Sequence, residues 1–386
     1  MSALHRFVVL YALMYAAFGV SSPFMPAFFE ERGLAPPEVG LLFGADTAIR
    51  LVSGPLGGRI ADLTRALRAV LALCELLAAV VALSLLSSSS FLPLLLISLL
   101  YAAALAPTTS LADALALGAA EPQDGRPAFE YGWVRGTGSG VFVIGTLLSG
   151  QVVGAWGLSS IIVLQAALLV AAAGAASLIP QPEGHEPVAA AERAASGGVI
   201  TLLRTPRFRR VMLLSTLVLG SHAMHDTFAV IRWSAAGVTA PMASALWSES
   251  VAAEVVVFLL VGPPLLKRLG PAGVIALAAA AGVVRWAVMA SSTSVIALTL
   301  VEPLHGLTFA ALHLACMRLI AAIAPQPLAA TAQAMYALAA GTTTAVLTLA
   351  SGWLYATMGA HAFLAMALLC AAAAPLTWGL RADHSR

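Results

Sequence analysis

The chain has 386 residues, of which 60% are hydrophobic and only 10% charged, and its mean hydropathy is +0.93. A globular domain carries about 25% charged residues, so this composition excludes a water-soluble enzyme or binding module and predicts an all-α integral membrane protein. The formal charge of +2 provides no basic surface for nucleic acid, and Cys74, Cys316 and Cys370 lack the spacing of a disulfide framework or a zinc site.

Apolar runs predict twelve transmembrane helices, at 7–30, 38–62, 67–87, 91–119, 127–155, 158–179, 207–234, 239–267, 271–291, 294–323, 327–357 and 360–380. The first run is too long for the apolar core of a cleaved signal peptide and is expected to act as its own targeting signal. Breakers fall between the runs, among them Gly33 to Pro37, Glu121 to Pro127, Trp156-Gly157, Gly237 to Pro241 and Gly270-Pro271. Only Pro180 to Pro206 is long. It is expected to be a linker, residues 180–206, between a six-helix bundle at 1–179 and a second at 207–386, with part of it suited to an amphipathic surface helix.

Arginine sets the orientation. Arg6, Arg59, Arg65, Arg68, Arg126, Arg193, Arg204, Arg207, Arg209, Arg210, Lys267, Arg268, Arg318, Arg381 and Arg386 fall on one side, against Arg32 and Arg232 on the other. The positive-inside rule places both termini and the linker in the cytoplasm. The expected location is a bacterial cytoplasmic membrane.

Polar residues inside the runs are the candidates for function. Asp46 and Arg50, one turn apart in the second run, suit mutual neutralisation, with donors of Arg50 left for a ligand. Glu75 is isolated in the third run and reads as a structural, hydrogen-bonded group. Gly136, Gly138 and Gly140 follow no strand, so they read as a close helix–helix contact rather than a dinucleotide loop. His222 and His225 are an i, i+3 pair without a third metal ligand, and read as the wall of a polar cavity. The densest stretch runs from Glu302 to Arg318. At about 100° per residue, Glu302, His305, Phe309 and His313 fall within about 80° of one another on a helix. A mid-bilayer charge costs about 2.5 kcal/mol or more, so this face is expected to look onto protein interior or a wet cavity. A polar seam that only holds helices together is the alternative.

The two halves resemble each other. Gly33-Leu-Ala-Pro-Pro37 opens the second run and Gly237-Val-Thr-Ala-Pro241 the eighth, followed by Phe43 and Trp247 and then by Gly54-Pro55 and Gly262-Pro263. With the glycines aligned, Arg50 and Glu254 take equivalent places. Opposite charges are thereby expected to face each other across a pseudo-two-fold axis. Parallel six-helix repeats with a midplane site between them are the plan of the major facilitator superfamily.

Gly58-Arg-Ile-Ala-Asp62-Leu-Thr-Arg65-Ala-Leu-Arg68 resembles that superfamily's loop motif, which implies a gating role for Gly58, Asp62, Arg65 and Arg68. Arg50 with Leu51 to Pro55, Ser110 to Leu117, Tyr131 to Phe142, Ser221-His222-Ala223, Ala253-Glu254-Val255, and Leu304 to His313 together resemble the 3-phenylpropionate transporter branch, itself similar to the lactose permease group of proton symporters. The resemblance implies proton-coupled uptake. By it, Arg135 matches a substrate-contacting arginine, Asp113 its carboxylate partner, Arg285 and His305 the proton-coupling arginine and histidine, and Glu254 a glutamate of the eighth helix. One departure is Thr308, which stands where the sugar symporters have a titrating carboxylate; Glu302 is the substitute on the same face. His225-Asp226 also departs from the branch.

The expected mechanism is alternating access of the two halves around a midplane cavity. Arginine offers a permanent charge and a planar fork for carboxylate, which makes Arg50 and Arg135 the anion clamps. The substrate-contacting set is Arg50, Asp113, Arg135, His222, Trp247, Phe309 and His313, with Phe24 and Tyr336 as further flanking rings. The proton-coupling set is Glu254, Arg285, Glu302 and His305. The expected substrate is a small organic anion, an aromatic carboxylate such as phenylpropionate. A sugar or nucleoside proton symporter, a proton-driven exporter and a non-transporting receptor or enzyme stay open as alternatives. No G-x-S-x-G nucleophile turn is present. Neither cofactor nor metal is expected, protons and the lipid bilayer are the remaining partners, and a monomer is the expected state.

Overall fold

The computed structural model of the chain describes residues 2–120, 129–180 and 195–381, and among these it is helical, with no strand. Arg126, Arg193, Arg386, the Glu121 to Pro127 breaker and most of the linker lie outside the described residues. Nine helical segments there are long and apolar enough to cross a membrane. Two of them, Ala240–Ser291 with 52 residues and Gln326–Leu380 with 55, each hold two crossings, since one needs only about 20 residues. Gly270, at φ 66°, and Gly359, at φ 54°, make the bends inside them. The consecutive helices Pro206–Gly220 and His222–Ala235 supply one more crossing. Twelve spans result among the described residues.

The first span is Ala3–Ser21, continued by Met25–Glu31 after a turn; the second is Pro36–Thr64 and the third Leu67–Ser84. The fourth is Phe91–Leu105 and Thr108–Ala120, the fifth Tyr131–Trp156 and the sixth Ser159–Leu178. After the short helix Ala195–Arg204 comes the seventh, the pair above, then the eighth, Ala240–Val256 running on through Val257–Val261. Gly270 separates the eighth from the ninth inside Gly262–Ser291. The tenth runs from Val295–Val301 to Leu312–Ile323, the eleventh is Ala329–Met358 and the twelfth Ala362–Leu376.

The chain divides into two compact units, residues 1–187 with 239–245, and residues 188–238 with 246–386. In the first, Phe7, Leu10, Tyr11 and Met14 of the first span are fully buried against Leu71, Leu111, Leu115 and Val134. The first and fifth spans touch backbone to backbone: a Cβ on Gly145 would lie 2.8 Å from the Ala16 carbonyl oxygen, and Thr146 Oγ1 donates to the Gly19 carbonyl at 3.1 Å. This corrects the expectation for Gly136, Gly138 and Gly140. Gly138 alone packs closely, against the Tyr15 ring, while Gly136 and Gly140 have open space where a Cβ would stand.

In the second unit Trp233, Trp286, Phe228 and Phe363 are fully buried. The short helix Ala195–Arg204 lies with Gly198 against Leu328.

The repeat is visible in backbone geometry. Gly33 has φ 88° and Gly237 φ 86°, the left-handed conformation in which glycine carries no Cβ penalty. Leu34 N–H bonds back to Phe29 at 3.2 Å, as Val238 N–H does to Trp233 at 2.9 Å. Arg32 and Arg232, the two basic exceptions to the orientation bias, have parallel structural roles. Arg32 donates to the carbonyls of Leu86 and Ser88 at 2.9 and 3.0 Å, and Arg232 to those of Met289 and Ala290. Each thus holds the carbonyl-rich C-terminus of a neighbouring helix, where a cation is favoured.

Candidate functional site

Two polar constellations are built, one in each unit. In the first, Asp113 on Thr108–Ala120 receives the phenol hydroxyls of Tyr11, at 2.5 Å, and Tyr131, at 2.7 Å, both on Oδ1. Arg135 is four residues, about one helical turn, beyond Tyr131 and so shares its face. Its guanidinium reaches only to 4.0 Å from that oxygen and lies over the Tyr15 ring, 5.1 Å from the centroid. Tyr15 in turn stacks on Tyr11. With Arg135 47% exposed at the side chain, most of its donor fork is open to a ligand, and three tyrosines stand around it.

Arg50 is exposed and makes no ion pair or hydrogen bond among the described residues. Asp46, expected to pair with it, takes another partner: it points inward, 6% exposed, and its Oδ2 accepts from Ser98 at 2.7 Å. Glu75 is a second correction. It is fully buried, and neither carboxyl oxygen has a hydrogen-bond partner among the described residues. Phe24, at 1% exposure, is core rather than a flanking ring.

The second unit holds a continuous network. Arg285 and Glu302, both wholly buried, pair at 2.7 Å between Nη2 and Oε2. Arg285 Nη1 lies 3.0 Å from His305 Nδ1. A guanidinium only donates, so Nδ1 accepts, and the proton of the neutral ring sits on Nε2. That nitrogen is 3.4 Å from Glu254 Oε2. The four residues of the proton-coupling set are thus joined in the order Glu302, Arg285, His305, Glu254. Exposure rises along it, from 0% at Glu302 to 24% at the Glu254 side chain.

Aromatic and imidazole rings surround this network. Phe309 stacks on His305 at 5.6 Å, and His222 meets the same ring edge-on at 5.1 Å. His222 Nδ1 donates to the Leu219 carbonyl at 3.0 Å, so its Nε2 accepts from Thr308 Oγ1 at 2.9 Å. Thr308, where the sugar symporters titrate, is a buried anchor for that ring. Trp247 stacks on His225 at 5.0 Å. His225 lies 3.3 Å from Glu302 Oε1 and 3.2 Å from Asp226 Oδ1, linking the buried glutamate to a half-exposed aspartate. His313 lies 3.4 Å from the Tyr336 hydroxyl; its ring meets Phe258 edge-on at 6.1 Å, and Phe258 in turn meets Phe309 at 6.5 Å.

Two π-helical turns frame the network, Val257–Val261 just after Glu254 and Gly306–Ala311 just after His305. They pack on each other. A Cβ on Gly306 would lie 2.7 Å from the Ala253 carbonyl oxygen and 2.7 Å from Val257 Cγ2, so the absent side chain lets the eighth and tenth spans close on the Glu254–His305 contact. Such single π turns inside α-helices are frequent at functional sites.

At the loop motif Arg65 has φ 52° and closes the second span, and Arg68 donates to the Ile179 carbonyl at 3.2 Å. Gly58 faces open space and Asp62 is exposed. Gly57 is the glycine held tightly, against Pro107.

Sequence reasoning missed Tyr11, Tyr15 and Tyr131 and left His225 outside the coupling set. Tyr131 was legible through its one-turn spacing from Arg135, and His225 through its spacing from His222. Nothing local connects Tyr11 to Asp113, 102 residues away.

Comparison with known proteins finds relatives along most of the chain. The family model described as "MFS_1 like family" matches residues 4–366. The chain is 32% identical over 365 residues to the "Probable 3-phenylpropionic acid transporter" of Escherichia coli K12, covering 93% of each chain. It is 23% identical over 309 residues to the "Uncharacterized transporter YwbF" of Bacillus subtilis, covering 80% of this chain and 75% of that one. In three dimensions it resembles a mutant form of the nucleoside transporter NupG, with a TM-score of 0.86 at 16% identity and coverage of 99% of both chains.

Proposed function

The chain belongs to the MFS_1 like family and is a membrane transporter of the major facilitator fold, and from that premise we propose that it is a proton symporter importing a small aromatic carboxylate such as 3-phenylpropionate. The similarity to the E. coli protein supports the substrate class. The observation that carries the reading is the arginine with an open fork beside tyrosines: Arg135 takes the carboxylate, Tyr15 and Tyr131 offer ring surface to the aromatic body, and the buried Tyr11 holds Asp113 in place. Arg50 supplies a second positive charge in the same unit.

Protons travel with the substrate through the second unit. His305 Nε2 faces Glu254, so a proton exchanges between them while Arg285 holds Nδ1. Glu302 neutralises Arg285 and keeps it in place. Substrate binding and proton binding alternate between the two sides of the membrane as the transporter changes its access. Both termini lie on the cytoplasmic side of the inner membrane, and the working unit is a monomer.

Proteoliposomes with an inward proton gradient test this reading, with labelled 3-phenylpropionate beside a sugar and a nucleoside, each with and without a protonophore. Accumulation of the aromatic acid alone, lost with protonophore, is the expected result. Accumulation of the sugar or nucleoside instead, or no proton-dependent uptake of the acid by folded protein, overturns it. Glu254→Gln is expected to abolish uphill uptake and leave counterflow exchange largely intact; equal loss of both removes Glu254 from coupling.

A further inference from the structure

At the arginine-rich end of the second unit four segments close around a cavity of about 520 Å³, within the range of about 300–1,000 Å³ typical of small-molecule sites. Arg207 enters from the start of the seventh span, Arg268 and Pro271 from the bend between the eighth and ninth, Arg318 from the end of the tenth, and Leu380 from beyond the twelfth. Gly270, with φ 66° and ψ 168°, is the non-helical residue that turns the chain there. Among the described residues the lining contains no Asp or Glu. Arg268 and Arg318 are exposed and make no ion pair among the described residues. This cavity shares no residue with the network at Arg285.

Arg268 and Arg318, converging with no carboxylate in the lining among the described residues, repel each other, and a bound anion removes that cost. The guanidinium fork matches the oxygens of a phosphate better than any other common anion except a carboxylate, and a dianion satisfies two forks at once. Basic pockets between spans at this end of a membrane protein are suited to phospholipid headgroups. Apolar lining beside the arginines, including Leu269, accommodates uncharged parts of the same ligand. We infer that this cavity is a binding site for a phosphate-bearing anion, held by Arg268 and Arg318 and distinct from the transport site. Two sources present that chemistry, an anionic phospholipid headgroup and a soluble phosphate.

The full chain in nanodiscs tests the site, with thermal unfolding followed by tryptophan fluorescence. One arm titrates inorganic phosphate onto protein in neutral phosphatidylcholine discs at constant ionic strength; the other raises the phosphatidylglycerol fraction of the disc. A ligand that binds only the folded state raises the unfolding midpoint in a saturable way. A saturable rise is expected in at least one arm, and the arm that responds identifies the source. In Arg268→Gln/Arg318→Gln the half-saturation point is expected to move by about tenfold or more, the effect of losing charge-assisted contacts. Lys267→Gln, an exposed neighbour outside the lining, is expected to respond like the unaltered protein. If the double glutamine variant does not fold, Arg268→Lys/Arg318→Lys keeps the charge without the fork and is expected to weaken half-saturation several-fold. The proposal is overturned by no saturable rise in either arm, by an unchanged half-saturation in the arginine variants, or by an equal loss in Lys267→Gln.

Discussion

Tyr11 and Tyr131 donate to one oxygen of Asp113, so the aspartate is held by phenols and Arg135 is left partly uncommitted. Removing one phenol loosens that arrangement by the value of one hydrogen bond, about 1.5–3 kcal/mol where the partner is charged. Tyr131→Phe is therefore expected to raise the apparent KM for uptake by roughly ten- to hundredfold, with little change in the amount of folded protein. Buried charge behaves differently. Arg285 and Glu302 are each 0% exposed, and breaking such a pair costs about 3–5 kcal/mol because one ion is stranded. Glu302→Gln is expected to lower the unfolding midpoint far more than Arg285→Met/Glu302→Leu, which removes both ions; a thermal-unfolding comparison in detergent decides it.

Among the elements, the eighth and tenth spans bring Glu254 and His305 together. Each carries its member of that contact just before a π-helical turn, and the wider turns shift register where the two residues meet. An ideal α-helix places Glu302, His305, Phe309 and His313 on one face; the π turn at Gly306–Ala311 intervenes between His305 and His313, which reaches Tyr336 and, through Phe258, the Phe309 ring. Gly306 is the point of closest approach. Gly306→Ala places a methyl where Ala253 backbone and Val257 stand, and overpacking of this kind costs about 1–3 kcal/mol. The expected outcome is a lower unfolding midpoint together with reduced proton-driven uptake, read by thermal unfolding and by the proteoliposome assay on the same preparation.

For the whole molecule, the proposed coupling is divided between the units: the arginine–tyrosine constellation lies within residues 1–187 and the Glu302 to Glu254 network within 188–386. Each unit supports its own chemistry, so variants of one are expected to be separable from variants of the other in transport assays. Tyr131→Phe alters affinity while proton dependence persists, whereas Glu254→Gln removes proton dependence while exchange persists. The arginine bias makes a further prediction for the membrane as a whole. Reporter domains fused after Arg204 and after Arg386 are expected to show cytoplasmic activity, and a periplasmic reading for either contradicts the proposed topology. The two exceptions to that bias, Arg32 and Arg232, are engaged with helix-end carbonyls, which explains why they do not oppose it.

Composition by itself determined that this is a membrane protein, because a chain with 10% charged residues cannot cover a soluble surface, and the continuous apolar runs of about 20 residues or more selected helices over a barrel, whose strands alternate. Breakers and glycine-led turns located the twelve spans and the repeat to within a few residues, since those signals act over only a few positions. The members of the buried Glu302–Arg285–His305–Glu254 network were also legible, as charges are rare enough inside spans to stand out. Partners were not. Ser98 rather than Arg50 holds Asp46, Tyr11 reaches Asp113 from another span, and Gly145 rather than Gly136 or Gly140 makes the close helix contact. Only the tertiary structure decided these, because side-chain pairing depends on how helices far apart in sequence rotate against one another, and no local pattern records that rotation.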